Sequence, residues 1–363
     1  MHVRYARALP ALVLIFLISH AVAKANESTF PDQQRALQAA DYILSCQDPN
    51  GAIRDAHDNP GVNMDNNMNY AMVALLAAYR ASGDGKYLVA VRRGLDWLAS
   101  VQEADGAWHW GYLAPTYEPF VGESYRRLGI SDIQGVDAIQ AYFAYVLYLY
   151  VQASGDREAG ETLLPAARRG IDHLLKHNYN GRIFYSSWQR RGNFWFRLPT
   201  MYSAGQADAY LGLMALWRLT GDSRYELAAQ RLKTQLASSF LRNGVWKTSW
   251  WDNRPYRFSN GYIPYVFGRA EGVDWLADNQ DGSALARSVL ALGLQANDRP
   301  AIAPLTHLAS LQGPHGGIAF SSRPRFSRYY YTNDAGFAAL AWLGAGRSSL
   351  TSFDYIAPLA RKP

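Results

Sequence analysis

Apolar positions recur at helical spacing through most of the chain. YAMVALLAAYR from Tyr70, RRGLDWLASVQ from Arg92, AARRGIDHLL from Ala166 and YLGLMALWRL from Tyr210 each place apolar residues three and four apart. Two short polar phrases punctuate these runs. One reads Ser/Thr-Gly-Asp, with its glycines at Gly83, Gly155 and Gly221. The other turns at Gly51, Gly106, Gly181, Gly244 and Gly317 and continues into apolar or aromatic residues. Recurrence of both phrases marks a repeated unit of two helices.

The pattern predicts five helix pairs. One member of each pair starts near Gln33, Lys86, Arg157, Ser223 and Arg299, the other near Asn67, Ile133, Ser203, Ser283 and Asn333. SNGYIPYVFGRAEGVDWL from Ser259 is a candidate extra helix, so the expectation is five to six hairpins. The second set is richer in Ala, Leu and aromatics and is expected inside. A chain that starts on an outer helix and ends on the inner YTNDAGFAALAWLGA can close into a ring. The expected class is all-α, an α/α toroid, with an open solenoid of stacked pairs as the alternative. Neither end carries a polar capping repeat, which favours the ring.

Connections from inner to outer helices are short. Those from outer to inner are long, at about 105–131, 180–201, 243–258 and 313–332. All connections of one kind lie on one face of a toroid, so the long loops crowd the rim where the inner helices begin. Sites are commonly built on such loops, and the helix N-termini there favour an anion.

Composition changes the picture in three places. MHVRYAR, the apolar LPALVLIFLISHAVA and the small residues before Lys24 read as a signal peptide over 1–23, leaving one toroid domain over 24–363. The expected location is the periplasm or outside the cell, with no membrane association after cleavage. The formal charge is +6, a mild bias toward anionic partners. Cys46 is the only cysteine, so neither a disulfide framework nor a thiolate metal cage is available.

YSAGQADAYLGLMALWRLTGDSRYELAAQ and TNDAGFAALAWL resemble the helix pairs of the α/α-toroid carbohydrate-active enzymes. These include six-hairpin glycosidases, polysaccharide lyases and the C-terminal domain of uronyl C5-epimerases. The resemblance is architectural and covers most of the chain beyond the signal segment. It implies a carbohydrate substrate. Terpene cyclases share the toroid, but their Asp-rich acid motif is absent.

The long loops hold Trp108, Trp110, Tyr112, Trp188, Trp195, Trp250 and Trp251, together with Lys247 and Arg254. Aromatic faces stack on sugars and cations hold carboxylates, so these residues are candidates for binding an acidic polysaccharide. Stacking plus basic residues also describes single-strand nucleic-acid binders, which export and the toroid argue against. Two reactions fit the residues at the inner-helix starts. Abstraction of the C5 proton of a uronate, followed by β-elimination, needs a base and a carboxylate neutraliser. Tyr70, His109, Tyr202 and Tyr330 are base candidates; Asn69, Gln206, Arg254 and Asn333 are neutralisers. Glycoside hydrolysis needs two carboxylates, from Asp137, Asp208 and Asp334. A lyase is the first expectation, with hydrolysis, epimerisation and non-catalytic polysaccharide binding as alternatives. No cofactor and no metal site is expected. His109 and His315 occupy equivalent repeat positions, and His173 and His177 are expected on an outer surface.

Overall fold

The computed structural model describes residues 31–347 and 349–359; the expected signal segment 1–23 lies outside them. Helix α1 runs over residues 31–45. α2 (Asn69–Ser82), α3 (Gly85–Ser100), a short α4 (Glu123–Arg127), α5 (Asp137–Ser154), α6 (Arg157–His177), α7 (Ser203–Thr220) and α8 (Ser223–Phe240) follow. The last five are α9 (Arg257–Phe267), α10 (Val273–Asp278), α11 (Ala284–Gln295), α12 (Ile302–Leu311) and α13 (Thr332–Trp342).

The fold is a closed α/α toroid. Helices α2, α5, α7, α9, α11 and α13 pack each on the next, and α13 returns to α2. Helices α1, α3, α6, α8, α10 and α12 precede them in the chain and form the outer layer. The sixth hairpin is α9 and α10, formed by the segment from Ser259 that reads as an extra helix. The second inner expectation shifts: Ile133 belongs to a strand, and the helix begins at Asp137. Inner helices are apolar around most of their circumference because neighbours, outer helices and the ring interior cover every face. In α5 every residue from Asp137 to Val151 is buried.

The Ser/Thr-Gly-Asp phrase works as two caps fused together. Gly83, Gly155 and Gly221 end inner helices in the left-handed conformation, with φ of 71°, 70° and 70°. The next residues, Asp84, Asp156 and Asp222, accept backbone N–H groups of the following outer helix. In the last copy of the other phrase Gly316, not Gly317, packs on the backbone, against Gln38 as Gly51 does against Arg93.

The long loops fold into small antiparallel sheets on the expected rim. One joins β1 (Gly61–Asn63), β2 (Gly111–Leu113) and β3 (Glu118–Pro119); the second joins β4 (Ile130–Gln134), β5 (Trp188–Arg191) and β6 (Phe194–Arg197). A third pairs β7 (Leu241–Arg242) with β8 (Val245–Trp246). No described helix is long and apolar enough to cross a membrane.

Candidate active site

A cavity of about 510 Å³ opens at this rim, over the first turns of α2, α5, α7 and α9. Its size suits a small-molecule or sugar site, for which roughly 300–1,000 Å³ is usual. Two aspartates line it, Asp137 at the start of α5 and Asp208 in the second turn of α7. No Lys, Arg or His is among its described lining residues.

Asp137 reaches the cavity because of one glycine. A β-carbon on Gly205 would lie 2.2 Å from Asp137 Oδ2. Asp137 therefore rests on bare backbone in the first turn of α7, and Asp208 follows three residues later. Positions three apart on a helix share a face, with β-carbons about 5–6 Å apart, so both carboxylates occupy one wall.

Asp208 is held from two sides. Tyr262 donates its hydroxyl to Asp208 Oδ1 at 2.6 Å, and Tyr70 donates to Oδ2 at 3.1 Å. The hydroxyls of Tyr142 and Tyr262 hydrogen-bond each other. Burial, reinforced by the Asp208 charge, pushes the hydroxyls of Tyr142 and Tyr262 well above the usual phenol range. They therefore stay protonated at neutral pH. Around them Tyr70 packs on Tyr142 at 4.6 Å and on Phe337 at 4.9 Å, and Phe258 stacks on Tyr262 at 4.8 Å. The result is a dry aromatic floor beneath the carboxylates.

Trp110 and Tyr202 also line the cavity, with Tyr125, Tyr256 and Phe258. Trp250 and Trp251 stand beside it, 49% and 59% exposed. Their indole N–H groups donate to Pro199 O and Thr200 Oγ1, close in sequence to Tyr202.

Other candidates fall elsewhere. Gln206 is fully buried; its Oε1 accepts from Phe184 N, and its Nε2 donates to the carbonyls of Phe184 and Tyr202. Asn260 clamps Trp246 in the same way, Gln140 accepts from Trp108 N while its Nε2 donates to Gly106 O, and all three amides are the fourth residue of an inner helix. Gln206 is thus a repeat fastener and not a carboxylate neutraliser. Trp108 has no exposed surface, stacks on Phe143 and donates to Leu98 O, so it belongs to the core. Tyr112 is likewise buried, with its hydroxyl on Val101 O.

His109 sits between Asp132 and Glu103, at 2.9 and 3.0 Å. Burial opposes its charge, but the two carboxylates outweigh this and raise its pKa. It lines none of the described cavity around Asp208 and does not share a site with His315, which packs on Tyr42 and Tyr330. Tyr330 lines a separate cavity where the α1–α2 and α12–α13 connections meet. Asp334 is wholly buried, and desolvation pushes its carboxyl up to about 8. Asn69 donates to Met64 O, and the backbone N–H of Asn333 donates to Asn67 Oδ1. Lys247 is buried with Nζ on Trp250 O, and burial lowers its pKa. Arg254 points outward and pairs with Asp252.

Strand alternation splits the β5 residues: Gln189 lines the main cavity, whereas Trp188 joins Trp195 around a second one. His173 and His177 line that second cavity, and His173 is buried rather than a surface group. No cluster of three metal-ligating side chains occurs among the described residues.

Comparison with known proteins gives the fold a context. No known family profile matches the chain. It is 24% identical over 232 residues to an MMP endo-(1,4)-3-O-methyl-alpha-D-mannosidase of Mycolicibacterium hassiacum, covering 61% of this chain and 56% of that protein. The match thus spans little more than half of that relative. Among solved structures, a wild-type glycosidase superposes with a TM-score of 0.63 at 11% identity, covering 88% of this chain and 98% of the other. The cellobiose 2-epimerase of Spirochaeta thermophila superposes with a TM-score of 0.61 at 16% identity, covering 86% and 95%. The chain has the α/α-toroid fold shared by these glycosidases and epimerases.

Proposed function

We propose that the protein is a glycoside hydrolase that cleaves an oligosaccharide or polysaccharide with Asp137 and Asp208. The observation that carries this reading is the pair of carboxylates on one wall of a single aromatic-floored cavity. Asp208 receives a phenol O–H on each oxygen, which fixes the orientation of its carboxylate in the cavity. It is the base or nucleophile at the anomeric carbon. Asp137 is the acid that protonates the leaving oxygen. The glycosidase neighbours and the mannosidase relative support the same chemistry.

Elimination is less well supported by the lining. A lyase must neutralise the uronate carboxylate at the reacting carbon, and the described lining offers no cation there. Tyr70, a candidate base, is already a donor to Asp208. Export rests on residues 1–23 and is part of the proposal.

The test is a screen of the purified chain against neutral and uronate-rich polysaccharides, reading new reducing ends and unsaturated-product absorbance in parallel. Reducing ends without absorbance support hydrolysis. Both signals rising together would replace it with a lyase.

A further inference from the structure

A second chamber, of about 260 Å³, adjoins the first on the same rim. The two share Tyr256 and Phe258 as a common wall. Phe258 stacks on Tyr262, which in turn holds Asp208, so the chamber begins one ring away from the carboxylates. Its far side is the α12–α13 loop, with Phe320, Ser321, Arg323 and Phe326.

Charge distinguishes the two chambers. Among the described residues the first is lined by two aspartates and no cation, and the second by Arg257, Arg323 and Asp281. Asp281 is already engaged. Its Oδ1 accepts from the backbone and hydroxyl of Ser283, and its Oδ2 lies 3.6 Å from Arg257. Arg257 also donates to Asn279 O. Arg323 has no carboxylate within ion-pair reach among the described residues. One unneutralised guanidinium therefore faces a chamber with aromatic walls, which is the chemistry of an acidic sugar: rings for its apolar face and a fork for its anion.

Taking the first chamber as the cleavage site, we infer that the second is a subsite for an anionic sugar, a uronate or sulfate-bearing residue next to the cleaved unit, held by Arg323. The cleft then spans at least two sugars. It cleaves a bond beside a charged residue without needing a cation at the reacting carbon.

The test uses Asp208→Asn protein, so that binding is read without turnover. Calorimetry at low salt compares uronate oligosaccharides (from pectate, alginate and glucuronan) with their carboxyl-reduced counterparts, which keep the linkage and lose the charge. O-sulfated forms of the reduced oligosaccharides make a second arm. At least one charged oligosaccharide should bind roughly tenfold more tightly than its neutral counterpart. Adding Arg323→Gln should erase that preference. The arm that shows it identifies carboxylate or sulfate as the anion. Equal binding of charged and neutral forms, no binding of either, or a preference that survives Arg323→Gln would overturn the subsite. Failure of the hydrolase reading looks different: the wild-type chain would release no reducing ends from an oligosaccharide whose charge preference still depends on Arg323.

Discussion

Replacing Gly205 by alanine should inactivate the protein while leaving it folded. The new β-carbon would sit 2.2 Å from Asp137 Oδ2, where ordinary contact starts near 3.4 Å, so the carboxylate must retreat by about 1.2 Å. The obstacle is the end of a side chain, which rotates more easily than backbone moves. Overpacking of this kind costs about 1–3 kcal/mol, and alanine in place of a helical glycine returns about 1 kcal/mol. The net loss of stability is on the order of 0–2 kcal/mol. Catalysis is less tolerant, because a misplacement of about 1 Å can cost about a hundredfold. Gly212→Ala is the control on the same helix. Its β-carbon would lie 2.4 Å from Ala141 O and 2.7 Å from Ala141 Cα, backbone that cannot rotate away. It should destabilise the α5–α7 contact by more than about 2 kcal/mol yet spare the activity of molecules that remain folded. Thermal unfolding and kcat/KM on the cleaved oligosaccharide, measured for both variants, separate the two effects. Wild-type kcat/KM in Gly205→Ala would refute the placement of Asp137 in the chemistry.

Two further outcomes follow from burial. Trp108→Ala should cost about 3–5 kcal/mol of stability, while Trp250→Ala and Trp251→Ala should weaken polysaccharide binding and leave unfolding temperatures within a few degrees; calorimetric melting and pull-down on insoluble polysaccharide check this. Asp334 carries a carboxyl raised to about 8, so the folded state holds a proton that the unfolded state releases near pH 4. Its contribution is fully present below about pH 4 and is lost, at up to about 1.4 kcal/mol per unit, as pH rises to about 8. Asp334→Asn should therefore gain on the wild type in melting temperature from pH 4 to 8 and hold a constant difference above it. A pH-independent difference would contradict the buried, protonated acid.

The ring was legible in the sequence because helical periodicity and a fused cap phrase repeat along it. The sixth hairpin was harder to read. Pro264 lies within α9, and Gly268 and Gly272 cut the segment short, so periodicity alone left its inner place open. Tyr262 was missed for that reason, although with Tyr70 it holds Asp208. Asp137 and Asp208 stood out as carboxylates inside apolar helices, a pattern that burial makes costly without a role. Gln206 stood out equally, but its partner, the backbone of Phe184, is invisible without the fold. Trp108 misled because the space that receives it is made by Gly170, whose β-carbon would lie 2.6 Å from the indole. That is a cross-chain fit with no local signature. The charge contrast between the two chambers was likewise hidden: the loops after residue 180 are basic, and only their folding decides which cations reach the cleft.

The most direct test of the account is a double-mutant cycle on the two carboxylates. Asp137→Asn, Asp208→Asn and the double variant would be assayed for kcat/KM on one cleaved oligosaccharide, with melting curves to establish folding. Each single variant should lose about 10²–10⁴-fold. The double variant should lose scarcely more than the worse single, because the two groups act in one step. Full activity in either single variant, or losses that simply multiply, would contradict a shared catalytic role for Asp137 and Asp208.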